Sequence, residues 1–564
     1  MNHDLVQRAL TSPGLSRVRH RVFRQLVESL LYEGSLRARA TGSGEYTVDG
    51  SGGVRYTFTA SRRYGFDRVA LGPEPVLRDG VAATSVTRFL EEVRDRLDAE
   101  PALLARFARE LEETVVKDAV AEHGRTRTAA DADYDELESA ITEGHRYHPA
   151  YKSRIGFDLA DHLAFGPEFA RPVRPLWLAV RRDIAEVTAS GSIDEAAFLR
   201  DQCGPVPEGF TPVPVHPWQW REHVARAFAG ELHDGSLRVL GEDRHTFRAQ
   251  QSVRTLSCAD DPARPYLKLA LSMVNTSTSR VLAPHTVHNA PLISDWLRAV
   301  VAEDPVLRDE HRVLLLTEVL GTAVVPPSGT DLLHEDTYGT LACIWRESLP
   351  PRLGRDERAM PFTGLTSVRP DGTPLIDDWL RAHGIVPWLR ALTEATLVPL
   401  VHLLCAHGIA LEAHAQNVVL VHRGGMPARV ALRDFHDGVR FSRAHLADPD
   451  RCPPLRATPA RHGNRNSFVE TDDPELVTDF LLDALFFVNV GELGNSLADH
   501  YGFPERDFWA VVREPIRRHL RRIPEPVFDI GKPTVAVEKL TTRRLLPDTE
   551  LRLHSVPNPL SCHA

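Results

Sequence analysis

The sequence predicts an α+β chain divided into two or three domains. Three observations carry that expectation. Short runs of alternating apolar and polar residues occur near 35–60, which is the period of half-buried antiparallel strands, and two strand-like runs joined by a turn occupy 417–435. Long stretches around 84–124 and 474–502 instead space their apolar residues as helices do. At 564 residues the chain exceeds what one hydrophobic core organises.

In chain order, residues 4–33 read as helix broken at "TSPG". "SLRARATG", "EYTVDG" and "GVRYTFTA" form a small antiparallel sheet, with "DGSGG" as a turn. A helical region follows at 84–124, then the polar loop "GRTRTAADADYDE" and a short helix. The region 156–375 mixes strands and helices, and "YLKLALSMV" is apolar enough for one buried strand. "PPRLGRDERAMPFTGLTSVRPDGTP" (350–374) reads as a boundary loop, and the remainder is mostly helical. "PELVTDFLLDALFFVNVGELGNSLADHYG" reads as two packed helices.

Bulk properties exclude several classes. Charged residues make up 26% and hydrophobic residues 42%, as in globular chains. The net charge of −10 argues against nucleic-acid binding, which needs a basic face. Six cysteines without a CxxC pair imply no disulfide framework and fit a reducing compartment. The N-terminal residues lack an apolar signal core, and no apolar run reaches membrane-span length, so the expected location is cytoplasmic with no membrane partner.

The chemistry concentrates in "LEAHAQNVVLVHRGGMPARVALRDFHDG", residues 411–438. "NVVLVH" and "ARVALRDF" are strand-like and "RGGMP" is a turn, which makes 417–435 a hairpin. Antiparallel pairing then brings Asn417 beside Asp434, with Glu412 and His414 at the same end. One amide and two carboxylates are hard oxygen ligands suited to Mg²⁺ and nucleotide phosphates. Protein kinases use an Asn and a hairpin-end Asp this way, but "HAQN" lacks their catalytic base. Any one of these residues alone would pass for a turn or cap; four at one hairpin end point to function.

A second group lies at 250–280. Ser252, Arg254 and Thr255 suit phosphate oxygens, and alternation on an extended segment places Ser252 and Arg254 on one face. Lys268, inside an apolar strand, requires an anionic partner. "NTSTSR" ends in Arg280, which can grip a carboxylate. No P-loop and no GxGxxG is present. "EGHRYHPAYKSRIGF" holds His145, His148, Lys152 and Arg154, a cationic cluster for a polyanion rather than a zinc site, since no third ligand has the usual spacing. "HPWQW" with His216 reads equally as a buried turn.

"GHRYHPAYKSRIGF", "HPWQW", "SVRT…K…TSTSR", "EAHAQN…RDF" and "VPNPL" stand in the order found in the IucA/IucC family, and from about residue 140 onward the chain resembles these NRPS-independent siderophore synthetases. The resemblance implies a cupped hand of thumb (1–155), fingers (156–375) and palm (376–564), the palm distantly kinase-like. It implies an ATP- and Mg²⁺-dependent ligase that adenylates a carboxylate of citrate or a citrate derivative, releases pyrophosphate, and passes the acyl group to an amine or hydroxyl. By resemblance, Ser252, Arg254, Thr255 and Lys268 bind phosphates together with His414, Asn417 and Asp434. His414, Arg280 and Lys268 are the catalytic set. Thr276, Thr278, Arg280 and Gln416 contact the carboxylate substrate, joined by His145, His148 and Lys152 from the thumb and by Lys539. Glu412, Asp434 and Asn417 hold the metal. Arg146 stands where the family motif has proline, which alters the local loop. A homodimer is the expected assembly. The alternatives are a family member using another acid, such as a succinyl-hydroxamate or 2-oxoglutarate, a kinase-like phosphotransferase, or a non-catalytic binding protein.

Overall fold

The computed structural model describes residues 3–125, 130–141, 144–276, 278–326, 331–460, 462, 466–524 and 526–561. Its N-terminal part packs the helices Pro13–Tyr32 and Pro101–Gly124 against an antiparallel sheet. The break at "TSPG" has a local cause. Ser12 accepts the Gly14 N–H as an N-cap, and Pro13 opens the next helix where its missing N–H costs nothing. The buried face of this unit includes Val22, Leu26, Leu30, Phe89 and Leu111.

The middle region is built on an antiparallel sheet in the order Phe247–Ala249, Thr255–Cys258, Tyr266–Leu269, Ala342–Arg346, Glu318–Val324, Ala185–Ala189. "YLKLALSMV" is not one strand. It breaks at Ala270 into the central strand Tyr266–Leu269 and the strand Leu271–Asn275, which turns back to pair with Thr278–Arg280. The two halves enter different sheets, a choice that apolar content cannot register. All four residues of Tyr266–Leu269 are buried, Lys268 included.

The hairpin forms as the sequence predicts. Val418–Arg423 pairs with Met426–Leu432, and Asn417 O accepts the Arg433 N–H at 3.2 Å at its open end. Gly425 has φ +82°, and an added Cβ would meet Trp379 at 2.4 Å, so the turn needs glycine there. Leu314–Leu315 and Arg358–Pro361 flank the hairpin in one four-stranded sheet, so this sheet draws chain from both sides of residue 375.

Two expectations need correction. Residues 474–501 form one continuous helical run, not two helices, because Gly491 keeps helical φ/ψ and Leu482–Val490 widens into a π-helical segment instead of breaking. Among the described residues one helix, Ile385–His407, is apolar and long enough to cross a membrane, contrary to the sequence reading; 78% of its apolar stretch is buried inside the protein, as for a core helix.

Candidate active site

The site gathers around Asp434. Its backbone sits in the left-handed region at φ 66°, an uncommon conformation for a residue with a side chain. Its carboxylate oxygen Oδ1 lies 3.2 Å from Lys268 Nζ and accepts a hydrogen bond from Arg346 Nη1. These cations hold the carboxyl well below the ordinary range, although burial opposes ionisation. Lys268 thus finds the anionic partner its buried position demands, and burial lowers its own pKa.

Phosphate-type donors approach from the adjoining strands. Thr255 pairs with Lys268 in register. The Ser252–Thr255 segment is a tight turn rather than the expected extended stretch: the Gln250 N–H bonds Thr255 O at 2.8 Å and Val253 has φ 67°. Ser252 and Arg254 therefore come together by a turn, not by strand alternation. Ser252 Oγ donates to Thr255 Oγ1 at 2.8 Å. Arg254 is anchored through Nη1 to the carbonyls of Arg280 and Val281, each at 2.9 Å.

A second cluster faces His414. The Gln416 N–H donates to His414 Nδ1 at 3.2 Å, so the ring proton resides on Nε2. Burial first, then the neighbouring His145, lowers the His414 pKa to about 4, leaving a neutral imidazole. His148 is 3% exposed, and neither ring nitrogen has a hydrogen-bond partner among the described residues. His145 Nδ1 and Arg280 Nε are likewise buried and unpartnered. Burial, then the charge of Arg254, lowers Arg280 to about 10. Arg280 Nη2 donates to Thr276 Oγ1 at 3.0 Å. Unpartnered buried polar atoms on His145, His148 and Arg280 are costly to leave unmet, and their N–H groups can donate to an oxyanion.

The remaining expected residues fall as follows. Asn417 Nδ2 donates to Glu412 O at 2.9 Å, which pins Glu412 beside the hairpin. Burial, reinforced by Asp437, pushes the Glu412 carboxyl up to about 8. At this site Glu318, Asp434 and His436 form an acid–imidazole group whose ligand atoms lie within 4.8 Å of one another; Glu412 is in no such group among the described residues. Arg433 Nε donates to the backbone oxygen of Gln416 at 2.6 Å. Thr278 pairs with Asn275, and its side chain lies outside the described residues. Lys152, expected to touch substrate, has its ammonium between Asp118 (2.8 Å) and Glu168 (2.9 Å) at 3% exposure, so it holds the N-terminal unit together instead of standing free. Lys539 pairs through its backbone N–H with Arg552 O at 2.9 Å, and its charge helps depress the pKa of His554.

Several site residues escaped the sequence reading. Glu318 accepts from His436 Nδ1 at 2.7 Å and from the Phe435 N–H at 3.2 Å, so one carboxylate fixes the segment after Asp434. Arg433 ion-pairs with Glu138 at 2.8 Å, tying the hairpin to the helix Tyr134–Ala140. Gln250 Oε1 accepts from Arg346 Nη2 at 3.1 Å. Arg433, His436 and Asp437 lay within "RDFHDG"; Glu318 and Arg346 sit on strands far away in sequence and carried no local signal.

The chain is similar to known proteins in sequence and in fold. The IucA/IucC family model matches residues 133–367, and the model described as ferric iron reductase FhuF-like transporter matches 387–553. The chain is 39% identical to the citryl-spermidine/3,4-dihydroxybenzoyl-citryl-spermidine:spermidine ligase of Bacillus anthracis, covering 99% of this chain and 96% of that protein. It is also 39% identical to the 2-[(L-alanin-3-ylcarbamoyl)methyl]-3-(2-aminoethylcarbamoyl)-2-hydroxypropanoate synthase of Staphylococcus aureus, over 97% of this chain and 93% of that one. The crystal structure of the petrobactin biosynthesis protein AsbB from Bacillus anthracis superposes with a TM-score of 0.93 at 39% identity, covering 99% and 98% of the two chains. Aerobactin synthetase IucC of Klebsiella pneumoniae shares the fold, with a TM-score of 0.81 at 24% identity over 99% of each chain.

Proposed function

The chain belongs to the IucA/IucC family and is a ligase of siderophore biosynthesis, and on that premise we propose that it adenylates a carboxylate of citrate, or of a citrate already joined to one amine, and transfers the acyl group to an amine. The observation that carries this reading is the set of unpartnered buried donors on His145, His148 and Arg280 beside the neutral, Nε2-protonated His414. A polycarboxylate would satisfy them. The names of the two relatives at 39% identity, both citrate-type amides made with amines, support the same substrate class.

In this reading, Ser252, Thr255, Arg254 and Lys268 receive the phosphates of ATP. Arg280, with Thr276, orients the substrate carboxylate towards the α-phosphorus. Carboxylate attack forms an acyl phosphate bond and expels pyrophosphate. His414 donates its Nε2–H to the oxyanion that develops there, a stabilisation effective in a site shielded from water. The amine then attacks the acyl carbon, AMP departs, and one proton is released per amide formed. Asp434 and Asn417 offer hard oxygen donors that fit Mg²⁺, with Glu318 and His436 beside Asp434, whereas the Glu412 carboxyl, pushed up to about 8 by burial, is the weaker donor. Bound there, the ion would neutralise phosphate charge.

The test is pyrophosphate release with ATP, Mg²⁺ and hydroxylamine as nucleophile, across citrate, succinate, 2-oxoglutarate and glutamate. Signal with citrate supports the proposal. Signal with another acid alone moves the substrate. ADP in place of AMP and pyrophosphate would make the protein a phosphotransferase instead.

A further inference from the structure

We propose that Asp304, His402 and His407 form a zinc site that ties the end of the helix Pro284–Glu303 to the helix Val398–His407. None of these residues has a part in the ligase reading above. Asp304 is the C-terminal cap residue of the first helix, and the two histidines stand five positions apart at the end of the second. Each offers one ligand atom, and the three atoms lie within 4.8 Å of one another.

The geometry is that of a metal triad. His402 Nε2 and His407 Nε2 converge on the same carboxylate oxygen, Asp304 Oδ2, at 3.1 and 2.8 Å. Two ligand atoms, each roughly 2.0–2.2 Å from one tetrahedral zinc ion, stand roughly 3.3–3.6 Å apart, so each contact opens by about half an ångström to admit the ion. The outer contacts follow the same pattern. Asp304 Oδ1 is occupied by the Leu307 N–H at 2.9 Å, which fixes the carboxylate plane. The other nitrogen of His402, Nδ1, is held by His519 Nε2 at 2.9 Å, the type of second contact that orients a metal-bound imidazole.

The charge balance is unfinished. The Asp304 carboxylate accepts from the two imidazoles and from the Leu307 N–H. No Lys or Arg ion-pairs with it among the described residues. The guanidinium of Arg308 is committed to Asp309 at 2.7 Å, and that of Arg522 to Glu310 at 2.6 Å. The side-chain ion-pair partners of Asp304 are the two imidazoles. A further imidazole, His311, leans on His519 and leaves Nε2 buried without a partner among the described residues. A carboxylate held between two imidazoles, with no Lys or Arg ion-paired to it, is a receptor for a divalent ion, and two nitrogens with one oxygen favour zinc over magnesium or calcium. The side chains of Asp304 and His407 remain 14% and 21% exposed, enough for the ion to enter and keep a water as its fourth ligand.

The experiment uses the full chain without an affinity tag, stripped with chelator and dialysed against micromolar Zn²⁺, with bound metal measured by elemental analysis. Co²⁺ serves as a second probe through its visible absorption. The expected result is about one equivalent per chain, a higher midpoint of thermal unfolding with Zn²⁺, and at least a tenfold loss of affinity in both His407→Gln and Asp304→Asn. Pyrophosphate release with Mg²⁺ should match wild type in those variants, which also shows that they fold. No stoichiometric binding by wild type would overturn the proposal. So would binding that survives both substitutions, since that places the ion elsewhere, for example at Glu318, Asp434 and His436.

Discussion

Asp434 Oδ1 lies 3.2 Å from Lys268 Nζ, joining the open end of the hairpin to the central strand of the middle sheet. The same oxygen accepts from Arg346, so one carboxylate balances two buried cations. Asp434→Asn would leave both underpaired, and breaking such a buried pair costs about 3–5 kcal/mol. The expected outcome is a lower urea midpoint as well as loss of turnover. The sign with pH is definite. The folded-state pKa is depressed, so this stabilisation is present above the unfolded-state value of about 3.9 and is lost as pH falls below it. A variant as stable as wild type would remove Asp434 from this structural role.

His414→Ala should lower pyrophosphate release roughly 10²–10³-fold, the usual loss when a preorganised oxyanion donor is removed. ATP binding, measured by calorimetry, should change little. Because burial holds His414 near a pKa of about 4, the wild-type rate should show no acid limb at the ordinary histidine value of 6.5. The contribution of the neutral ring fades only as pH falls towards 4. Near-normal turnover in the variant would take His414 out of the reaction.

Arg280→Ala should raise the KM for the carboxylic acid far more than the KM for ATP. Truncating one partner of a buried charged hydrogen bond costs roughly 2–5 kcal/mol. Steady-state kinetics with each substrate varied in turn provides the comparison. Equal effects on both substrates would assign Arg280 to the nucleotide instead.

Lys152→Met separates a structural from a substrate role. The ammonium is enclosed by Asp118 and Glu168, and Glu168 also takes Arg154 at 2.7 Å. The expected result is a loss of about 3 kcal/mol in chemical unfolding, the lower end for a buried pair because Arg154 remains. The KM for the acid should be unchanged. A raised KM with unaltered stability would move Lys152 into the substrate pocket.

The hairpin was legible because its signals are local. Two strand-like runs and the "RGGMP" turn specify both strands, and pairing then brings Asn417 against Arg433. The same locality misled elsewhere. "YLKLALSMV" is uniformly apolar, and nothing in that composition marks the break at Ala270, where the chain leaves one sheet for another. The run 474–501 looked like two helices because a π-helical segment interrupts the apolar period without ending the helix. Ser252 and Arg254 read as extended neighbours, whereas Val253 in a left-handed conformation turns the chain between them.

By itself the sequence determined the α+β class, the hairpin and the family, because periodicity, turn chemistry and ordered motifs are properties of neighbouring residues. Only the tertiary structure decided that Glu318 and Arg346 join Asp434, that Lys152 is consumed by Asp118 and Glu168, and that Asp304 meets His402 and His407. Those pairings span tens to hundreds of residues. They follow from burial. Once packing removes a charge from water it must find a partner wherever the fold brings one, and no local pattern records which partner that will be.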